Sequence, residues 1–263
     1  MSGIERKSFQ SYIRSKLSGN HYLSLKKWSK LFIGFIHSGN LNKLASINGT
    51  DKWSDHWYTQ HYQRHFKPFR LKRLKILEIG IGGYKDPMAG GDSLRMWRSY
   101  FPFSEIHGLD ITDKSEHAEG NIHIHIGSQV DPIFLDDVIT KHGPFDIIID
   151  DGSHINEHVI FSFEYLFLNG LTKNGIYVVE DTQTSYWDDY GGVSDKLDND
   201  VTMMNYFKKL VDVVNCQDYL WVKELASKFD HCITGMHFYH NLIFIYKGSN
   251  RNEDEKYISK MYK

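Results

Sequence analysis

The amino-acid sequence predicts an α/β fold, in which helices cover both faces of a mainly parallel sheet and an antiparallel strand pair closes it. Three observations support this fold class. Five short apolar runs between residues 75 and 181 alternate with helix-length segments. Two further strand-like runs at residues 233–248 are separated only by His240-Asn241, which leaves no room for a crossover helix. The chain before residue 71 has helical periodicity.

The N-terminal segment, residues 1–70, is a predicted helical extension. In LSLKKWSKLFIGFIHSG, residues 23–39, apolar positions recur at helical spacing and the lysines lie largely off that stripe. Such a helix either lies on a membrane surface or packs against the main domain or a second subunit, and we favour packing. A second helix is predicted at residues 50–66.

The α/β domain, residues 71–250, contains the alternating elements, and a polar tail, residues 251–263, follows it. A dinucleotide dehydrogenase usually completes six parallel strands, so the antiparallel ending favours another class. The predicted strands are KILEIG (75–80), EIHGLDI (105–111), NIHIHIG (121–127), FDIIIDD (145–151) and GIYVVED (175–181), and the predicted helices are DSLRMWRSYF (92–101), DPIFLDDVITKH (131–142) and EHVIFSFEYLFLNG (157–170).

Composition argues against several classes of protein. No apolar run reaches the roughly 18 residues of a membrane span, and the N-terminus lacks the apolar stretch of a secretory signal. These absences predict a cytoplasmic protein. The two cysteines, Cys216 and Cys232, form no metal or redox motif.

The charge distribution is strongly asymmetric. Residues 1–75 contain 15 Lys and Arg against 3 Asp and Glu, whereas the remainder contains 16 against 30. Attraction between two parts of one fold is the simpler explanation. The alternative is that the basic segment helps to hold an anionic substrate, such as a nucleotide diphosphate.

The first predicted strand leads into a glycine-rich turn, LEIGIGGYKDPMAGGDSLRMW, which contains Gly80 and Gly82. Glycines at this place let a ligand approach the backbone, although a lone Gly-x-Gly is weak evidence. The second strand ends in Asp110, where an acid typically accepts hydrogen bonds from a ribose diol, the alternatives being a helix cap or a solvated acid. Gln129 and Asp150 also follow or end strands, so one crevice is predicted along this edge.

A second group of acids, Asp151, Glu180 and Asp181, closes the fourth and fifth strands. If those strands are neighbours, the carboxylates repel one another unless a cation neutralises them. Oxygen ligands favour Mg²⁺ over zinc. Helix capping, or pairing with basic N-terminal residues, is the alternative. His154 follows Asp151 by three residues and is a candidate general base, although it could be an ordinary polar residue at a helix start.

These residues resemble those of a known family, the Mg²⁺- and S-adenosylmethionine-dependent sugar O-methyltransferases of the macrolide type, with relatives in capsule and antibiotic gene sets. The resemblance implies a Rossmann-like class I methyltransferase sheet and a catalytic domain at residues 71–250. It rests on TDKWSDHWYTQHYQRHF, LEIGIGGYKDPMAGGDSLRMWRSYF, GLDITDK, GSQVDP, IIDDGSH, VVEDTQTSYW and MHFYHNLIFIYKG, and it covers residues 50–248.

The resemblance also implies roles for these residues. His154 is expected to be the general base. The cofactor residues are expected to be Glu78, Gly80, Ser93, Asp110, Gln129 and Asp150, and the Mg²⁺ ligands Asp151, Glu180 and Asp181. The chain departs from catechol methyltransferases, which have an acid-amide pair and a lysine where Glu180-Asp181 and His154 stand here. Only about 70 residues precede the first predicted strand, so we expect no counterpart of the full N-terminal domain of the larger macrolide enzymes.

The expected activity is methylation of a sugar hydroxyl, and a nucleotide-activated sugar such as a GDP-heptose of capsule synthesis is the expected acceptor. The segment TQTSYWDDYGG, residues 182–192, is either an acceptor lid or an ordinary loop. We expect no nucleic-acid partner. We expect the chain to form a homo-oligomer. The competing hypotheses are an NAD-type oxidoreductase, a non-catalytic nucleotide- or sugar-binding module and, less favoured, a phosphoesterase.

Overall fold

The computed structural model describes Gly34 and residues 36–216 and 228–250. Most of the predicted helix at residues 23–39, and the whole predicted tail, lie outside these described residues. Within them, residues 36–72 and 95–102 form one compact unit, and residues 73–94, 103–216 and 228–250 form a second.

The first unit contains two short helices, α1 (Leu41–Asn48) and α2 (Thr59–Phe66). The predicted helix at residues 50–66 is wrong in its first half, because residues 51–56 form turns. Ser54 and Trp57 have φ angles of 79° and 61°, which a right-handed helix cannot accommodate. The helix therefore begins only at Thr59.

Aromatic packing forms the core of this unit. The ring centroids of Tyr62 and Trp97 are 5.0 Å apart, and those of Phe66 and Phe101 are 5.7 Å apart. All four side chains are fully buried. Each such ring removes on the order of 150–250 Å² from water, so these four residues dominate the packing of the unit.

The second unit is built on one seven-stranded sheet with the order β3-β2-β1-β4-β5-β7-β6. Strands β1 to β5 are parallel, and β7 is antiparallel to both β5 and β6, which confirms the predicted fold class. The strands are β1 (Lys75–Ile79), β2 (Glu105–Asp110), β3 (Ile122–Ile126), β4 (Phe145–Asp150), β5 (Leu171–Glu180), β6 (Ile233–Tyr239) and β7 (Leu242–Lys247). The helices of this unit are α4 (Pro132–His142), α5 (Asn156–Asn169) and α6 (Met203–Val213), and α3 (Asp92–Tyr100) begins in it and continues into the first unit.

Helices lie on both faces of the sheet. Buried residues of α4, α5 and α6 pack with Leu77, Leu109 and Tyr177 in one apolar cluster. On the opposite face, Leu94 of α3 lies so close to Gly108 that a Cβ there would come within 2.8 Å of its side chain. A larger residue at position 108 would therefore push α3 away from the sheet.

Strand register determines which residues meet at the carboxyl edge. Ile79 is opposite Asp150, and Asp150 is opposite Val179. The residues immediately after β1, β4 and β5 therefore leave the sheet at the same level. The strand order reverses at β1, which lies between β2 and β4, and ligands of open α/β sheets bind at such a reversal.

Four elements differ from the sequence-based prediction. β5 begins at Leu171 rather than residue 175, because Leu171 pairs with Phe145 before a register shift. The segment after β5 forms short 3₁₀ helices at Thr182–Tyr186 and Asp188–Tyr190, and α6 comes next.

No helix within the described ranges is both long and apolar enough to cross a bilayer.

Candidate active site

The turn after β1 brings the backbone against β2 and β4. Gly80 has φ +86°, and its N–H donates to the Leu109 carbonyl at 2.8 Å. A Cβ at this position would overlap the carbonyl oxygen of Asp151. Only glycine satisfies both the left-handed backbone and this close approach, so the predicted importance of Gly80 has a structural cause.

Replacing Gly80 with alanine should lower the free energy of unfolding by more than the roughly 1–3 kcal/mol of a strained backbone angle alone. Gly191 provides a matched control, because its φ is +71° and a Cβ there would meet nothing within 4 Å. Urea unfolding of both variants separates the overlap from the backbone cost. Equal losses of stability would mean that the contact with Asp151 is unimportant.

Asp110 fastens this turn to the end of β2. Its Oδ2 accepts the N–H of Ile81 at 3.0 Å, and its Oδ1 accepts that of Thr112 at 2.8 Å. A carboxylate offers about four lone-pair sites, so two backbone donors leave acceptor capacity for a ligand hydroxyl. The predicted ribose contact is compatible with this geometry.

Lys114 organises the rest of the glycine-rich turn. Its side chain is fully buried, and its ammonium donates to the carbonyls of Asp86 and Ala89, the latter at 3.0 Å. Backbone carbonyl oxygens thus take the place of water as hydrogen-bond acceptors for the buried ammonium. Sequence reasoning did not single out this lysine, although it lies in the GLDITDK motif.

Two predicted cofactor residues contact each other inside this turn. Glu78 of β1 is fully buried, and its Oε2 accepts a 2.8 Å hydrogen bond from the Ser93 hydroxyl near the start of α3. The bond joins the carboxyl half of β1 to α3. The two side chains therefore lie beside the turn that carries Gly80.

Asp150 and Gln129 belong to a buried polar network beneath the site. Asp150 Oδ1 accepts from Gln129 Nε2 at 3.3 Å, and Oδ2 accepts from the Tyr177 hydroxyl at 3.1 Å. Gln129 Nε2 also donates to Ser162 at 2.8 Å, and its Oε1 accepts the Ser153 N–H at 2.8 Å. Burial raises the pKa of Asp150 to about 6, against the lowering effect of the Tyr177 hydrogen bond. This geometry favours a positioning role for both predicted cofactor residues.

The predicted metal ligands come together at the carboxyl edge. Glu78, Asp151 and Glu180 can each offer an oxygen within 4.8 Å of the others, and so can Asp151 and Asp181 together with a ring nitrogen of His154. Asp151 is the residue that the two groups share. Its N–H is held by the Ile79 carbonyl at 2.9 Å.

His154 faces these carboxylates. Its Nε2 lies 3.6 Å from Asp181 Oδ2 and 3.9 Å from Asp151 Oδ1. The φ angles of His154 and Asp181 are +57° and +53°, an uncommon conformation for residues other than glycine. Two strained residues that face each other across an acidic cluster are typical of a functional site.

Thr184 holds these two strained residues together. Its hydroxyl is within hydrogen-bond distance of the carbonyl oxygen of His154 at 2.9 Å and of that of Asp181 at 3.1 Å. Asn156, fully buried at the start of α5, donates to the carbonyls of Thr184 and Tyr190 and accepts the N–H of Met203 at 2.7 Å. Neither residue was predicted, because side-chain bonds to distant backbone leave no pattern in a sequence.

Replacing Thr184 with valine should lower the free energy of unfolding by about 1–3 kcal/mol, because it removes a buried hydroxyl donor. Thr234 is a suitable control, since its exposed hydroxyl donates to the Tyr246 carbonyl at 3.3 Å and its loss should cost below about 0.5 kcal/mol. Urea unfolding measures both. Equal effects would show that Thr184 does not support the site.

The donor set suits a hard divalent cation. The site offers the carboxylate oxygens that Mg²⁺ prefers, from Asp151, Glu180 and Asp181. Among the described residues, neither of the two candidate ligand groups at this edge contains a cysteine. Glu180 is 2% exposed, so its charge gains little from water. A cation would relieve the mutual repulsion of these acids.

Comparison with known proteins agrees with the fold. No protein-family model matches the chain. It is 46% identical over 213 residues to the demethylmacrocin O-methyltransferase of Streptomyces fradiae, covering 80% of this chain and 54% of that protein. It is 45% identical to the mycinamicin VI 2''-O-methyltransferase of Micromonospora griseorubida, covering 80% and 53%. The chain thus spans about half the length of these curated relatives.

A solved structure shares the fold at 44% identity. It is the MycE methyltransferase from the mycinamycin biosynthetic pathway in complex with Mg, SAH and mycinamycin VI, with a TM-score of 0.75 over 81% of this chain and 56% of that one. The sheet order, together with this match, defines the second unit as a class I methyltransferase fold. Within that class, the aligned part of the chain is homologous to the sugar O-methyltransferases.

Proposed function

We propose that this chain is an S-adenosylmethionine-dependent O-methyltransferase that requires Mg²⁺ and acts on a sugar hydroxyl. The observation that carries the proposal is the meeting of Asp151, Asp181 and His154 at the carboxyl edge of a methyltransferase sheet. The relatives named above are O-methyltransferases, and MycE was solved with Mg and SAH.

The cofactor would lie along the ends of β1 and β2. Asp110 is the residue for the ribose hydroxyls, since its carboxylate keeps acceptor capacity beyond its two backbone donors. Gly80 allows close approach of the ligand to the backbone, and the bonded pair Glu78 and Ser93 borders the same turn. Gln129 and Asp150 support the floor of this crevice from beneath.

Asp151, Glu180 and Asp181 would hold Mg²⁺, which when bound acts as a Lewis acid that lowers the pKa of the acceptor hydroxyl. His154 accepts the hydroxyl proton at Nε2, so that the oxygen can form its bond to the methyl carbon as the carbon–sulfur bond breaks. The carboxylates of Asp151 and Asp181 lie close enough to Nε2 to stabilise the imidazolium that results.

The predicted acceptor lid comes directly after β5. Tyr186 ends its first 3₁₀ helix, Trp187 lies between the two helices, and the two residues are 38% and 51% exposed. Exposed aromatic rings beside a polar site are suited to stacking on the apolar face of a sugar. This supports the lid over an ordinary loop.

The names of the relatives favour a glycosylated small molecule as acceptor. Two of them are a demethylmacrocin and a mycinamicin VI enzyme, and neither name supports a nucleotide-activated heptose or a role in capsule synthesis. The basic character of residues 1–75 is the one observation that favours the nucleotide sugar. Both acceptor classes therefore belong in the assay.

The first experiment is calorimetric titration of S-adenosylhomocysteine into the purified chain, with NAD as the control ligand. Binding of S-adenosylhomocysteine alone supports the proposal, whereas NAD binding alone would favour the oxidoreductase hypothesis. Methyl transfer from S-adenosylmethionine is then measured with macrolide glycosides and with GDP-heptose, in Mg²⁺ or in EDTA. Cofactor binding with no transfer to any sugar acceptor would favour a binding module instead.

A further inference from the structure

A second cluster of possible metal ligands lies away from the carboxyl edge. His107 of β2 and His123 and His125 of β3 project from the same face of the sheet, and His142 is the last residue of α4. The ring centroids of His125 and His142 are 4.7 Å apart, and those of His107 and His125 are 5.3 Å apart. Four imidazoles therefore meet where β3, an edge strand, faces the end of α4.

Three of these rings converge on one point. His107, His125 and His142 each offer a ring nitrogen within 4.8 Å of the other two. His107 Nδ1 and His125 Nε2 are 3.0 Å apart. Zinc–nitrogen bonds of about 2.0–2.1 Å place tetrahedral ligand nitrogens about 3.3 Å apart, so a bound ion could draw the ring of His142 in from a distance of at most 4.8 Å.

The cluster is separate from the acids of the proposed active site. The carbonyl of His142 accepts a 2.7 Å hydrogen bond from the side chain of Lys75, which begins β1. His142 thus lies toward the amino edge of the sheet, whereas Asp151 and Asp181 come after strand ends at the carboxyl edge. One ion cannot serve both groups.

The imidazoles of His107 and His125 are in the form that binds metals. Burial, reinforced by the neighbouring histidines, lowers the pKa of His107 to about 3 and that of His125 to about 4. Both rings are therefore neutral near pH 7, and neutral imidazole is the ligand form. Close packing of several histidines would be unfavourable if they were charged.

A carboxylate lies near the second nitrogen of His107. Its Nε2 is buried and has no hydrogen-bond partner in the described part of the chain, but Glu105 Oε2 lies 3.7 Å away. Histidines that bind a metal through one nitrogen usually donate the other N–H to a carboxylate, a backbone carbonyl or water. Glu105 is positioned for this supporting role.

We propose that His107, His125 and His142 bind a transition-metal ion of the Zn²⁺ class, with Glu105 orienting His107. Three imidazoles and a fourth position for water match the coordination that zinc accepts in proteins. The ion would join β2, the edge strand β3 and the end of α4. It is independent of the Mg²⁺ site and of the methyl-transfer activity proposed above.

The test is titration of the full chain with Co²⁺ and then Zn²⁺, in excess Mg²⁺. Four-coordinate Co²⁺ absorbs visible light far more strongly than six-coordinate Co²⁺, so the spectrum reports the kind of site. We expect one strongly absorbing equivalent per chain, displaced by Zn²⁺, and a higher melting temperature with Zn²⁺. Methyl transfer need not be measured.

Variants assign the site. His125→Gln and His142→Gln alter half-buried residues and should weaken binding by at least about 100-fold, since losing a supporting group alone costs 10–100-fold. His237→Gln, an exposed histidine on β6, should bind as the parent does. Asp181→Asn should keep the strong Co²⁺ spectrum.

Three results would overturn the proposal. One is the absence of a strong Co²⁺ spectrum in the parent chain. Another is an unchanged spectrum in both His125→Gln and His142→Gln. The third is loss of the spectrum in Asp181→Asn, which would move the ion to the carboxylate site. His107→Gln is avoided as the main test, because a 1% exposed residue can affect folding.

Discussion

Replacing His154 with alanine should lower kcat by about 10²–10⁴-fold while leaving the affinity for S-adenosylhomocysteine nearly unchanged. The side chain is the one imidazole that faces Asp151 and Asp181 in the described site, with Nε2 at 3.9 Å and 3.6 Å from their oxygens. Loss of the imidazole removes the group that accepts the hydroxyl proton. Steady-state kinetics with saturating cofactor measures the effect.

His237→Ala is the matched control, because this exposed histidine lies on β6 and should retain full turnover. The φ of +57° at position 154 is a complication, since alanine tolerates it poorly. His154→Asn keeps a residue that adopts this conformation and should lose a similar factor in kcat. Near-normal turnover in either His154 variant would reject the base assignment.

Replacing Asp181 with asparagine should weaken Mg²⁺ binding by on the order of 100-fold or more, and methyl transfer should fall with it at limiting Mg²⁺. Asparagine is the informative substitution because it adopts left-handed backbone angles readily, and Asp181 has φ +53°. The change thus removes the charge with little effect on the backbone. Isothermal titration with Mg²⁺ and the Mg²⁺ dependence of kcat measure it.

Asp212→Asn, an acid-to-amide change at an exposed position of α6, provides the control and should leave the Mg²⁺ dependence unchanged. Cofactor binding should survive in both variants, which distinguishes metal loss from unfolding. An Asp181→Asn enzyme with the Mg²⁺ dependence of the parent would exclude Asp181 as a ligand. The effect of raising Mg²⁺ concentration provides a second check, because a weakened site should be partly rescued.

The positions of Asp110, Asp151 and Glu180 could be predicted because each lies at or just after the end of a recognisable strand. Apolar runs such as IIID mark where a buried strand ends, and the next residues of a parallel strand lie at the carboxyl edge of the sheet. Asp110, Asp151 and Glu180 lie at this edge as expected. The antiparallel ending was equally clear, because two residues cannot form a crossover.

The supports of the site could not be predicted. The partners of Asp150 include Tyr177, which is 27 residues away, and those of Thr184 include the His154 carbonyl, 30 residues away. Such bonds depend on packing rather than on local pattern. The early turns of residues 51–56 were missed for a related reason, since their positive φ angles at Ser54 and Trp57 break a sequence that reads as a helix.

The hydrogen bonds of Asn156 also have a consequence for local unfolding. One amide joins the carbonyls of Thr184 and Tyr190 to the first N–H of α6, at 3.1, 2.9 and 2.7 Å. The stretch from residue 184 to residue 203 is therefore fastened at a shared point. We expect its backbone amides to exchange with deuterium as one cooperative unit, at a lower free energy of opening than the strands beneath it.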